Sequence, residues 1–112
     1  MFVDVVENTI DPGTLTIHRF ESGDLDAKTF THEAHIYVAR LYLCEFENRD
    51  AIERFDRGLR RLVIKLGAKD KYNAMITWLF MKLIAERMRK GESWETFRER
   101  NADLVDERPP SS

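Results

Sequence analysis

The stretch DAIERFDRGLRRLVIKLG, Asp50 to Gly67, decides the fold class. At about 100° per residue, Ile52, Phe55, Leu59, Leu62, Val63 and Leu66 fall within one arc of roughly 100° around a helix axis. Arg54, Arg57, Arg61 and Lys65 lie on the opposite side. This is the pattern of an amphipathic α-helix with one face in a core. Asp50, followed three residues later by Glu53, predicts a start resembling a capping box, and Gly67 predicts a stop after Leu66. The basic stripe reads as a solvated outer face whose position the apolar stripe dictates, rather than as a contact for an anionic partner.

The segments on either side carry the same punctuation. KYNAMITWLFMKLIAERMRK predicts a helix capped by Asp70 that runs to about Lys90, with Gly91 just beyond. Tyr72, Met75, Ile76, Leu79 and Leu83 form one apolar face of it. Phe80, Ile84 and Met88 form a second, which also holds Asn73 and Thr77; only Lys82, Glu86 and Arg89 make a polar strip. A helix apolar most of the way round is either central or shared with another subunit. In so short a chain both are expected, so the sequence predicts a homodimer. Asn73 and Thr77, polar within an apolar stripe, must be satisfied or serve a ligand. Ser93 is placed to cap a short last helix carrying Trp94 and Phe97, and Thr29 or Thr31 to cap the helix before Asp50.

The first 25 residues read two ways. FVDVV could be a short strand, Asp11–Gly13 a turn, and TLTIHRF alternates as strands do. TLTIHRFESG also reads as a helix capped by Thr14 and closed by Gly23, and this is the reading preferred. The expected architecture is therefore all-α, a compact bundle of four to five helices. Residues 1–106 form a single domain whose first dozen residues are irregular or a short strand. The polar, proline-rich ERPPSS at 107–112 is expected to be a disordered tail.

Composition narrows the function classes. The 112 residues are 43% hydrophobic and 34% charged, with a net charge of -2. With a pI near 5.9, that balance argues against nucleic-acid binding, which usually needs a basic field. No uninterrupted apolar run is long enough to span a membrane. Acids in MFVDVVENTID stand where a secretion signal would need a basic start. The single cysteine, Cys44, has no partner within the chain for a disulfide, which suits a reducing compartment. A cytoplasmic location is expected.

The candidate site lies in THEAHIYVARLYL, Thr31 to Leu43. His32, His35, Ile36, Ala39, Tyr42, Leu43 and Phe46 share one side of this helix, and Glu33 and Arg40 share another, expected to be wet. Two imidazoles thus project inward, where desolvation favours their neutral forms. A metal is not expected. HEAH is not the HExxH zinc pattern, Glu33 points about 100° away from His32, and Cys44 lies roughly 18 Å along the axis. Two ligands are too few for zinc, so no metal and no cofactor are expected. Cys44 sits near the helix's C-terminal end, where the dipole disfavours a thiolate. What remains is cofactor-free acid–base chemistry at His32 or His35, with Tyr42, Tyr72, Asn73 and Thr77 as candidate ligand-binding residues. Two readings stay open. One is a small-molecule pocket, catalytic or binding only. The other is a non-catalytic helical interaction or dimerisation protein whose histidines are structural.

Three blocks carry a resemblance: FESGDLDAKTFTHEAHIYVARLYL, KYNAMITW followed by IAERM, and RNADLVD. Over Phe20 to Asp106 the chain resembles a family of small, uncharacterised bacterial all-helical proteins. That family has a phenylalanine-x-histidine-x-x-histidine helix, matched here by Phe30, His32 and His35, and a later tyrosine-histidine-glutamate-threonine block before a tryptophan. Tyr72, Thr77 and Trp78 keep that block, while Asn73 and Ala74 stand where the histidine and glutamate would be. The resemblance implies the all-helical fold. If the family uses a cluster of three histidines and a glutamate, this chain holds half of it.

Overall fold

The structure, a computed structural model, describes residues 10–105. The strand-or-irregular reading of the first nine residues and the expected tail at 107–112 lie outside the described residues. Six α-helices follow in order: α1 (Ile17–Ser22), α2 (His32–Glu45), α3 (Asn48–Lys65), α4 (Ala74–Arg87), α5 (Trp94–Arg100) and α6 (Ala102–Val105). A 3-10 turn, Lys69–Lys71, precedes α4. The chain is all-α among the described residues, as its periodicity predicts.

The helix ends show which local signals carried. Thr31 accepts a hydrogen bond from the Ala34 backbone N–H at 3.1 Å and starts α2. Ser93 accepts from Thr96 N–H at 3.2 Å and starts α5. Gly23 closes α1 with φ 75, and Gly67 follows α3 with φ 73, left-handed conformations that cost glycine nothing. Three caps differ from expectation. Thr16, not Thr14, caps α1 by accepting from Arg19 N–H, because the Thr14 hydroxyl is spent on Asp11 within the 11–14 turn. Helix α3 begins two residues before Asp50, which lies in its first turn paired with Arg54 at 2.9 Å. Asp70 falls in the 3-10 turn, and Asn73 caps α4 by accepting from Ile76 N–H at 3.1 Å.

The predicted arc of α3 faces the core: Ile52, Phe55, Leu59 and Leu62 are buried, with Val63 and Leu66 half-buried at its edge. Helix α1 lies against α3 through Phe20, whose ring stacks on Phe55 at 5.1 Å between centroids and 5° between planes. That approach needs Gly58. A Cβ there would lie 2.6 Å from Phe20 Cε2, so the glycine is a contact surface for the α1 ring rather than a helix breaker.

Helix α2, rather than α4, is the enclosed one. It packs against α1, α3, α4 and α6, and Ala34, Ile36, Val38, Ala39, Tyr42 and Leu43 are buried around its circumference. The side expected to be wet is covered as well. Arg40 is 8% exposed, its guanidinium 5.2 Å from the Phe97 ring centroid and its Nη2 donating to the Glu92 carbonyl at 2.5 Å. Glu33 accepts from Arg98 Nε of α5 at 2.8 Å. Long side chains with apolar stems let α5 lie over a face that reads as polar. Helix α4 by contrast buries only Thr77, Met81 and Ile84, while Met75, Ile76 and Leu79 are 73%, 52% and 60% exposed. No helix among the described residues is long and apolar enough to cross a membrane.

Candidate ligand-binding cavity

Where α2 and α4 face each other over Phe55 of α3, they leave a cavity of about 510 Å³. Its walls are mainly apolar, with Ile36, Ala39, Phe55, Phe80, Met81 and Ile84 among them. Helix α6 crosses one end with Leu104 and Asp103, and Lys71 reaches the rim from the 3-10 turn. Among the sequence-predicted residues, His32, His35 and Thr77 line this one space. The first turn of α2 supplies both histidines because Thr31 fixes where that helix begins, and the spacing i, i+3 puts the two rings on one side.

His35 sits in a slot of aromatic rings. Phe30 stacks against it at 5.4 Å and 24°, and Phe55 lies across it at 5.4 Å and 33°. Burial in this slot pushes the imidazole down to about 4, and neighbouring His32 adds to the shift. At neutral pH the ring is therefore uncharged, with one N–H donor and one acceptor. Neither nitrogen has a hydrogen-bond partner among the described residues. His32 is anchored differently: its Nε2 lies 3.1 Å from the Leu104 carbonyl oxygen. A carbonyl only accepts, so Nε2 carries the proton. The Phe80 ring meets His32 edge-on at 6.1 Å. Thr77, on the cavity lining, donates its hydroxyl to the Asn73 carbonyl at 2.9 Å, leaving its oxygen as an acceptor only.

The other three candidate ligand residues are placed elsewhere. Tyr42 is fully buried in the α1–α2–α3 core, its ring against Phe20 and Phe55, and its hydroxyl donates to Glu21 Oε2 at 2.7 Å. Burial and that carboxylate push the phenol's pKa upward, so it stays protonated. Tyr72 donates to the buried carboxylate of Asp56 and accepts from Arg60 Nε at 3.0 Å. Desolvation, then the bond to Asp56, raises its pKa. Asn73 is occupied as the α4 cap. Each of the three has a structural partner that satisfies it.

Among the described residues no three His, Cys, Asp or Glu side chains are grouped so as to hold a metal ion. Asp103, the carboxylate on the cavity wall, is held by Arg87 at 3.1 Å. Cys44 is exposed near the end of α2. Several wall residues escaped the sequence reading. Phe80 belongs to an apolar stripe of its helix that says nothing of a cavity, and no sequence pattern marks Met81 or Lys71. Leu104 contributes through its backbone carbonyl, which no side-chain pattern announces. A scan against protein-family models, a search of curated proteins and a search of solved structures each found no match to this chain.

Proposed function

We propose that this chain binds a small molecule in the α2–α4 cavity. The observation that carries the reading is His35, an inward imidazole in a 510 Å³ space with neither ring nitrogen partnered among the described residues. Half-buried at the cavity lining, that ring can meet water or a ligand in the space through its nitrogens. The volume falls in the range of small-molecule sites, and a mostly apolar wall with a few convergent polar groups is their usual composition. The three sequence blocks behind the family resemblance all contribute walls: His32 and His35, then Ile76 and Thr77, then Asp103 and Leu104. Membership of that bacterial family and a cytoplasmic role are proposed on the sequence alone. Proton transfer in the cavity would fall to His32 or His35. With its pKa near 4, however, His35 is a weak base at neutral pH, so binding is better supported than catalysis.

The test is a fragment screen by protein-observed NMR. Hits should move the resonances of His35, Thr77 and Met81, and Ala39→Leu, which fills the cavity from the buried wall of α2, should abolish those shifts while keeping the fold. A screen in which no compound moves these signals would refute the reading.

A second reading, self-association, rests on a separate observation: Met75, Ile76 and Leu79 form an exposed apolar stripe along α4. A homodimer would cover it. Light scattering at micromolar concentration should then give about twice the 13.2 kDa chain mass, reverting to one mass in Met75→Glu/Leu79→Glu. A wild-type monomer at that concentration would end this reading.

A further inference from the structure

We infer that the cavity takes an uncharged aromatic molecule bearing a hydroxyl or N–H donor, a phenol or an indole-like heterocycle; this rests on the cavity being a ligand site. The hydrogen-bonding inventory of the walls carries the inference. Thr77 has one proton, already given to the Asn73 carbonyl at 2.9 Å, so towards a ligand its oxygen accepts only. The Nε2 proton of His32 is given to the Leu104 carbonyl, so that oxygen is occupied. His35 is free to do both, one nitrogen donating and the other accepting. Thr77 and His35 together offer the cavity two acceptors and one N–H. An ether, ketone or nitrile could satisfy only the His35 N–H, whereas a hydroxyl can meet that N–H and an acceptor, and a ring N–H can meet the acceptors.

Charge is disfavoured by the same walls. Ile36, Ala39, Phe55, Phe80, Met81 and Ile84 give an ion nothing to replace its hydration. The two charged wall residues, Lys71 and Asp103, sit at exposed positions, and Asp103 is already paired with Arg87. His35 itself reports the environment, since burial there holds its own ring uncharged. The preference for a flat ring comes from the rings in the walls. His35 and Phe55 line the space with their centroids 5.4 Å apart, Phe80 meets His32 edge-on, and Met81 lines the same cavity.

The experiment compares matched pairs by NMR titration of the full chain at neutral pH: phenol with anisole, and indole with 1-methylindole, alongside benzoate and benzylamine. Each parent should bind at least tenfold more tightly than its methylated partner and than either ion, with shifts centred on His35 and Thr77. Thr77→Val, which removes the acceptor while keeping the shape, should weaken phenol several-fold and leave anisole unchanged. Equal binding within the wild-type pairs overturns the inference, and that comparison stands even if Thr77→Val is too unstable to use. Tighter binding of benzoate or benzylammonium also overturns it. If the parents fail while another compound class shifts the same signals, the inference falls and the pocket survives. If no compound of any class shifts them, both fall.

Discussion

Replacing His35 by phenylalanine isolates the energetic signature of the cavity. In the open chain an imidazole titrates near 6.5; in the Phe30–Phe55 slot it titrates at about 4. A pKa depressed on folding means that the unfolded chain binds a proton in the interval between the two values and the folded chain does not. Stability contributed by the neutral ring is therefore complete above about 6.5 and lost as pH falls from there towards 4, below which the loss stops growing. The gap corresponds to about 3 kcal/mol, most of which is gone by pH 4.5. A phenylalanine has no proton to take up and can keep both ring contacts. Urea unfolding of both proteins at pH 7.5 and 4.5 measures the effect as a difference of differences. Carboxylates common to both cancel, but His32, whose charge couples to His35, does not, so both proteins carry His32→Gln. The protein that keeps His35 should lose roughly 2–3 kcal/mol more than its His35→Phe counterpart on acidification, on the order of 10 °C in melting temperature. Parallel losses in the two proteins would refute the claim that the slot holds His35 neutral.

Gly58→Ala should destabilise by about 1–3 kcal/mol in chemical denaturation, although alanine is the better helix former by about 1 kcal/mol, because its Cβ would collide with the Phe20 ring. A stabilised variant would show that α1 is free to move off α3. Thr31→Ala should cost about 1 kcal/mol by removing the α2 cap, and should also loosen the two histidines that follow it, seen as faster amide exchange at the start of α2. Unchanged exchange there would contradict the cap's role. Tyr72→Phe strands the buried Asp56 carboxylate with Arg60 as its remaining partner and should cost about 1–3 kcal/mol, more than Arg60→Ala, whose side chain is 57% exposed. The reverse order would mean that Arg60, not Tyr72, satisfies Asp56.

Local chemistry made much of this protein legible before its tertiary structure. The 3.6-residue period of Ile52, Phe55, Leu59 and Leu62 set α3 and its inner face, Thr31 and Ser93 capped their helices, and Gly23 and Gly67 ended theirs. These signals act within about one turn, so neighbouring residues suffice to encode them. They failed where two local candidates competed, as when Thr14 bonded Asp11 and left the α1 cap to Thr16.

The arrangement of helices was decided at longer range. Helices α2 and α4 are both apolar on several faces, so their patterns name the oily residues without saying which face receives a neighbour. Packing of α5 over Arg40 and Glu33 made α2 the enclosed helix and left Met75 and Leu79 of α4 exposed. The same choice sorted the polar candidates. His32, His35 and Thr77 meet at one cavity, while Tyr42 turned to Glu21 and Tyr72 to Asp56. A helix's own sequence determines which residues share a side of it. Which sides of two helices meet depends on how all six fill space together, and that brought the Leu104 carbonyl against His32 from 72 residues away.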